Sequence, residues 1–94
     1  MNFYIVTFDR QSNVSYKPFH NAFVEHPQFY RWWHYILSSY LIGSDLSADD
    51  ISDHFTATAK SLGMRTTHLV LKVDLTQRQG MLPKDAWGWI KKNT

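Results

Sequence analysis

Phe3 to Phe8 is an unbroken run of aromatic and branched residues with no glycine or proline. Such residues fit a pleated strand. Apolar side chains fall on both parities of the run, so both faces need cover and the strand belongs in the middle of a sheet. The rest of the chain must therefore supply strands beside it and layers above and below it. Asp9 follows directly, at the strand's end.

The remaining elements follow from periodicity and stop signals. Arg10 to Tyr16 is polar and reads as a loop. Pro18 suits a first helical turn, and Phe19, Ala22 and Phe23 share one helical face. His26-Pro27 ends that helix, because the residue before proline is pushed out of the helical region. Arg31 to Ile42 is rich in β-formers and reads as a hairpin. Its strands are expected over about Trp32 to Leu37 and Tyr40 to Gly43, with the turn at Ser38-Ser39.

Ser47 caps the next helix, and Asp49, Asp50 and Asp53 suit its positive end. Ile51, Phe55, Thr58, Ala59 and Leu62 form its apolar stripe, and Gly63 stops it. Thr67 to Val73 alternates as a fourth strand. Leu82-Pro83-Lys84-Asp85 opens a last helix, with Pro83 in its first turn. Trp87 and Ile90 share a face of it, and Trp89 falls off that stripe.

The order β, α, β, β, α, β, α predicts an α+β class: a ferredoxin-like βαββαβ unit with an additional C-terminal helix over about 83–92. Right-handed crossovers give a four-stranded antiparallel sheet in the order 4-1-3-2 with two helices on one face. Residues 1–94 form a single such domain. This topology puts Asp9 near Ser38, Ser39, Arg65, Thr66 and Thr67, and Asp74 at the opposite edge. The two aspartates are therefore not expected to pair within one chain.

Composition narrows the chemistry. The chain has no cysteine, which excludes disulfides, thiolate metal sites and cysteine nucleophiles, and fits a reducing, cytoplasmic setting. No apolar run approaches the roughly 18 residues of a membrane span. The first residues lack the basic and long apolar segments of a signal peptide and read directly as a strand. Net charge is +2, but residues 60–94 hold seven Lys or Arg against two Asp. That basic half suits a polyanion such as DNA or RNA, or it is an ordinary solvated surface.

The run Tyr4-Ile5-Val6-Thr7-Phe8-Asp9-Arg10, a short helix, an aromatic hairpin, an amphipathic helix and a final strand together resemble a known family. It is the small ferredoxin-like subunit of CRISPR spacer-acquisition complexes. The resemblance implies a homodimer that binds nucleic acid, with Asp9 as the catalytic, metal-holding residue of a nuclease dependent on Mg²⁺ or Mn²⁺. Trp32-Trp33-His34-Tyr35 and Leu82-Pro83-Lys84-Asp85-Ala86-Trp87 also resemble a set of small SinR-like bacterial proteins, over nearly the whole chain. That likeness implies the fold and no activity.

Each candidate residue has a plainer reading beside it. Asp9 either holds a metal with a second copy of itself across a two-fold axis, or caps its loop or pairs with Arg10 or Arg65. Arg65, Lys72 and Arg78 are the cations expected to meet nucleic-acid phosphates, with Lys84, Lys91 and Lys92 as further candidates. His20, His26, His34, His54 and His68 show no metal-ligand spacing. Trp32, Trp33, Tyr35 and Tyr40 either stack on bases or serve packing and a dimer interface. The alternative to a nucleic-acid-associated dimer is a non-enzymatic module that meets a protein partner.

Overall fold

The computed structural model describes residues 1–11 and 14–93. Its elements are β1 (Asn2–Phe8), α1 (Lys17–Val24), β2 (Phe29–Trp33), β3 (Ser39–Ser44), α2 (Ala48–Ser61), β4 (His68–Val73) and α3 (Lys84–Lys92). All strand pairs are antiparallel, and the sheet order is β2-β3-β1-β4. Read from the other edge this is the expected 4-1-3-2. The fold is α+β and ferredoxin-like, with β1 in the interior. Positions 12 and 13 of the polar connector expected over 10–16 lie outside the described residues.

Strand alternation splits β1 between two cores. Tyr4, Val6 and Phe8 face α1 and α2, where they pack with Phe19, Phe23, Tyr40, Ile42, Ile51 and Phe55. Rings dominate this layer: Phe19 lies 4.8 Å from Phe55 and Phe23 lies 5.4 Å from it, centroid to centroid. Ser47 Oγ accepts from the Asp50 N–H at 3.1 Å, the expected cap of α2. Gly63, at φ +67°, stops that helix, its N–H donating to Lys60 O. Two residues assigned to the apolar stripes lie elsewhere: Ala22 is exposed, and Leu62, past the last turn of α2, is 42% exposed.

On the second face α3 lies against the sheet. Ile90 packs with Trp33 and Leu41, and Val73, Leu75, Leu82, Trp87 and Trp89 flank them. Trp89, expected off the packing stripe, meets Phe3 edge-on at 6.1 Å. The short helix rests on a flat surface wide enough to take flanking positions as well as its central stripe. Gly43 makes room for the Phe3 ring: a Cβ there would come within 2.9 Å of Phe3 Cε1, 3.0 Å of Met1 Sδ and 3.3 Å of Arg31 Cβ. Pro83 is the residue before α3 rather than inside its first turn.

The hairpin sits earlier than expected. β2 ends at Trp33, opposite Leu41, and residues 34–38 form the connection. The Ser39 N–H donates to Ile36 O at 3.0 Å, so Ser39 itself closes the turn and is the first residue of β3, opposite Thr7. The aromatic and branched residues Tyr35, Ile36 and Leu37 carry strand propensity, but they are exposed in that turn. An irregularity between Phe29 and Arg31 shifts the register of β2.

Candidate functional site

Asp9 stands where the end of β1 meets the start of β4. Its N–H donates to Thr67 O at 3.1 Å, and the Thr67 hydroxyl donates to Asp9 Oδ2 at 2.8 Å. The Thr66 hydroxyl donates to the Asp9 carbonyl. Phe8 N–H reaches Ser38 O at 2.9 Å, and Gln11 Nε2 reaches Arg65 O at 3.1 Å. Ser38, Arg65, Thr66 and Thr67 therefore gather round this edge, as the topology requires. Asp74 lies beyond the other end of β4, where Thr76 N–H and Oγ1 both donate to its Oδ1. Those bonds hold the Asp74 carboxyl below its usual range.

Strand alternation carries Asp9 onto the same face as Phe3, Ile5 and Thr7, the face that α3 partly covers. A cleft of about 230 Å³ opens here, lined by Thr7, Asp9, Thr67 and Leu69 among others. Leu69 and Leu71 are 53% and 48% exposed beside it. The Arg65 loop shares this end of the molecule. Lys72 lies toward the far end of β4, opposite Tyr4, and Arg78 follows in the next loop, its Nη1 donating to Leu75 O at 3.0 Å. The fold thus sets Arg65 with Asp9 and leaves Lys72 and Arg78 at the other end.

The donor set at Asp9 bears on the metal that the resemblance implies. Among the described residues no three His, Asp or Glu side chains come together as a metal-holding group. Mg²⁺ is commonly held by one or two carboxylates with waters and substrate phosphates. One exposed Asp9 per chain fits half of such a site.

A second locus lies at the β2 edge. His20, Trp32, Trp33, His34, Tyr35 and Trp89 line a hollow of about 340 Å³. His34 stacks on Tyr40 at 4.2 Å and 12°, and His20 stacks on Tyr40 at 5.7 Å and 13°. Trp32 meets His20 edge-on at 5.2 Å. His34 Nδ1 lies 2.8 Å from the Ser39 carbonyl, which only accepts, so the ring proton sits on Nδ1 and Nε2 carries a lone pair. Tyr40 is 1% exposed, and its hydroxyl lies 2.9 Å from His20 Nδ1. A buried phenol needs an acceptor for its proton, which assigns donation to Nδ1 and places the His20 proton on Nε2.

Burial pushes the Tyr40 hydroxyl up, well beyond the usual tyrosine range. Burial lowers His20 and His34; at His34 the bond to the Ser39 carbonyl opposes this, and His20 and Arg10 lower it further. Arg10 itself lies 4.6 Å over the Tyr16 ring. Both imidazoles are therefore held toward the neutral form. The Trp32-Trp33-His34-Tyr35 run signalled an aromatic surface in the sequence. The His20–Tyr40–His34 stack was invisible there, because α1 brings His20 in from a distant part of the chain.

Comparisons with family models, with curated proteins and with solved structures give no match.

Proposed function

We propose that the chain acts as a homodimer that binds nucleic acid, with Asp9 of each copy contributing to one shared site for Mg²⁺ or Mn²⁺. One observation carries this reading: Asp9 lies on the same face as exposed Leu69 and Leu71, beside the part of the sheet that α3 leaves bare. A second copy on that strip removes both leucines from water, which is favourable in proportion to the apolar area covered. It also sets two carboxylates at one rim, where each chain alone offers one. Arg65, an exposed cation whose backbone carbonyl accepts from Gln11 near Asp9, would be the residue to meet a phosphate. Asp9 of each copy would hold the divalent ion, which would supply charge neutralisation at a phosphodiester and a more acidic water, as metal-dependent nucleases require.

The test has separable parts. Sedimentation should give a dimer, and Leu71→Asp should give a monomer. Wild type should cleave DNA or RNA with Mg²⁺ or Mn²⁺, and Asp9→Asn should not. A strictly monomeric wild type overturns the dimer. Equal cleavage by both proteins, or none by either, overturns the nuclease. Absent or salt-insensitive binding overturns the nucleic-acid partner.

A second reading, a non-enzymatic module for a protein partner, rests on the edge strand β2. There Tyr30 is 52% exposed and Trp32 37% exposed. An open strand edge with exposed rings suits an added strand from a partner. A β2 that is protected from hydrogen exchange only in a protein complex supports this reading over the first.

A further inference from the structure

We propose that the hollow at the β2 edge binds one neutral, planar heterocycle of the nucleobase class. The site is distinct from Asp9 and does not depend on the dimer. Its volume, about 340 Å³, lies near the lower end of small-molecule pockets, which span roughly 300–1,000 Å³. Most of its walls are rings: Trp32, Trp33, Tyr35 and Trp89. Such walls hold a flat ligand by stacking, and they do so without regard to which base it is.

Selectivity comes from the two imidazoles. His34, with its proton fixed on Nδ1 by Ser39 O, offers an acceptor at Nε2. His20, with Nδ1 taken by Tyr40, offers a donor at Nε2. Their rings are 5.4 Å apart and 25° from parallel. One donor and one acceptor on the imidazoles complement the acceptors and donors that a nucleobase carries on its edges.

The charge at the site selects against the other ligand that aromatic walls favour, an alkylammonium cation. None of the residues lining the hollow is a carboxylate. A neutral base is therefore preferred over a cation.

The test is a titration of the wild-type chain with the common nucleosides and nucleoside monophosphates, and with choline. Tryptophan fluorescence and amide chemical shifts report binding. We expect saturable binding of at least one base, with shifts confined to β2, the 34–38 turn, His20 and Trp89. Trp32→Ala should weaken binding about tenfold or more. Trp32 is 37% exposed, so its truncation leaves the fold intact. His34→Phe should keep the stack and change which base binds best. Leu71→Asp should leave base binding as in the wild type, which separates this site from the strip proposed to form the dimer. No saturable response to any base, unchanged binding by Trp32→Ala, or preferential binding of choline would each overturn the proposal.

Discussion

The Thr67 hydroxyl donates to Asp9 Oδ2 across 2.8 Å while the Asp9 N–H donates to Thr67 O at 3.1 Å. Two bonds thus tie the end of β1 to the start of β4 and fix the carboxylate at the rim of the bare strip. Both residues are exposed, so the side-chain bond contributes at the low end of its class, about 0.5–1 kcal/mol. Thr67→Val should lower unfolding free energy by that amount in urea, with an unchanged m-value. Asp9→Asn keeps an acceptor for Thr67 and should be near neutral for stability. A large loss in Asp9→Asn would mean that its role is structural and would make its nuclease test uninformative.

Stability should fall as the solution is acidified from about pH 7 to about pH 5. Burial lowers the pKa of His20, His26, His34 and His68 from 6.5, and the charge of His54 lowers His26 further. The unfolded chain then takes up protons first as pH drops through its own value. Protonation there draws the equilibrium away from the fold, so the stabilisation is full above 6.5 and is lost as pH falls toward the folded values. Thermal unfolding followed by circular dichroism across that window checks it. His34→Gln should flatten the slope. A melting temperature that rises on acidification would contradict the burial of these rings.

Much of this arrangement was legible in the chain. The both-faced run of Phe3–Phe8 required a central strand, and β1 is one. Ser47 and Gly63 bracket α2 through a side-chain cap and a positive φ, local chemistry that is written in two residues. The placing of Asp9 against Thr67 followed from topology alone. The β2 boundary was not legible, because Tyr35, Ile36 and Leu37 have the residue types of a strand and the geometry of a turn. Only the cross-strand partners of Trp33 and Ser39 decide that boundary. The imidazole–phenol stack was hidden for the same reason: His20 and Tyr40 lie on α1 and β3, and only tertiary packing joins them.

Tyr40→Phe tests that stack. The substitution removes one buried hydroxyl and leaves His20 Nδ1, half-buried, to find water instead. The cost should be about 0.5–1.5 kcal/mol in denaturant. Burial holds the Tyr40 proton above the ordinary tyrosine range of about pH 10, so Tyr40 resists ionisation while the fold lasts. The unfolded chain ionises first as pH rises, which removes the Tyr40 contribution in strong alkali. An ultraviolet titration should show a late step that unfolding accompanies, and Tyr40→Phe should lack it. A wild type with every tyrosine ionising near the ordinary value would show that the phenol is not buried.

The last helix is either an appendage or a layer of the fold, and Ile90 decides which. Ile90 is 5% exposed and packs with Trp33 and Leu41 on a face that α1 and α2 do not reach. Truncating a buried isoleucine to alanine costs about 2–5 kcal/mol, from lost transfer energy and the cavity left behind. A domain of this size has about 5–15 kcal/mol in all, so Ile90→Ala should lose a large part of it. Phe55→Ala, in the other core, should cost about 3–5 kcal/mol by the same reasoning. If α3 is a layer, both variants unfold in one transition at reduced denaturant, and Trp33 becomes accessible to quenchers only with global unfolding. If α3 is an appendage, Ile90→Ala keeps the wild-type midpoint and exposes Trp33 under native conditions. The contact of Trp89 with Phe3 on β1 favours the layer, because α3 then packs on the same strand that carries the main core.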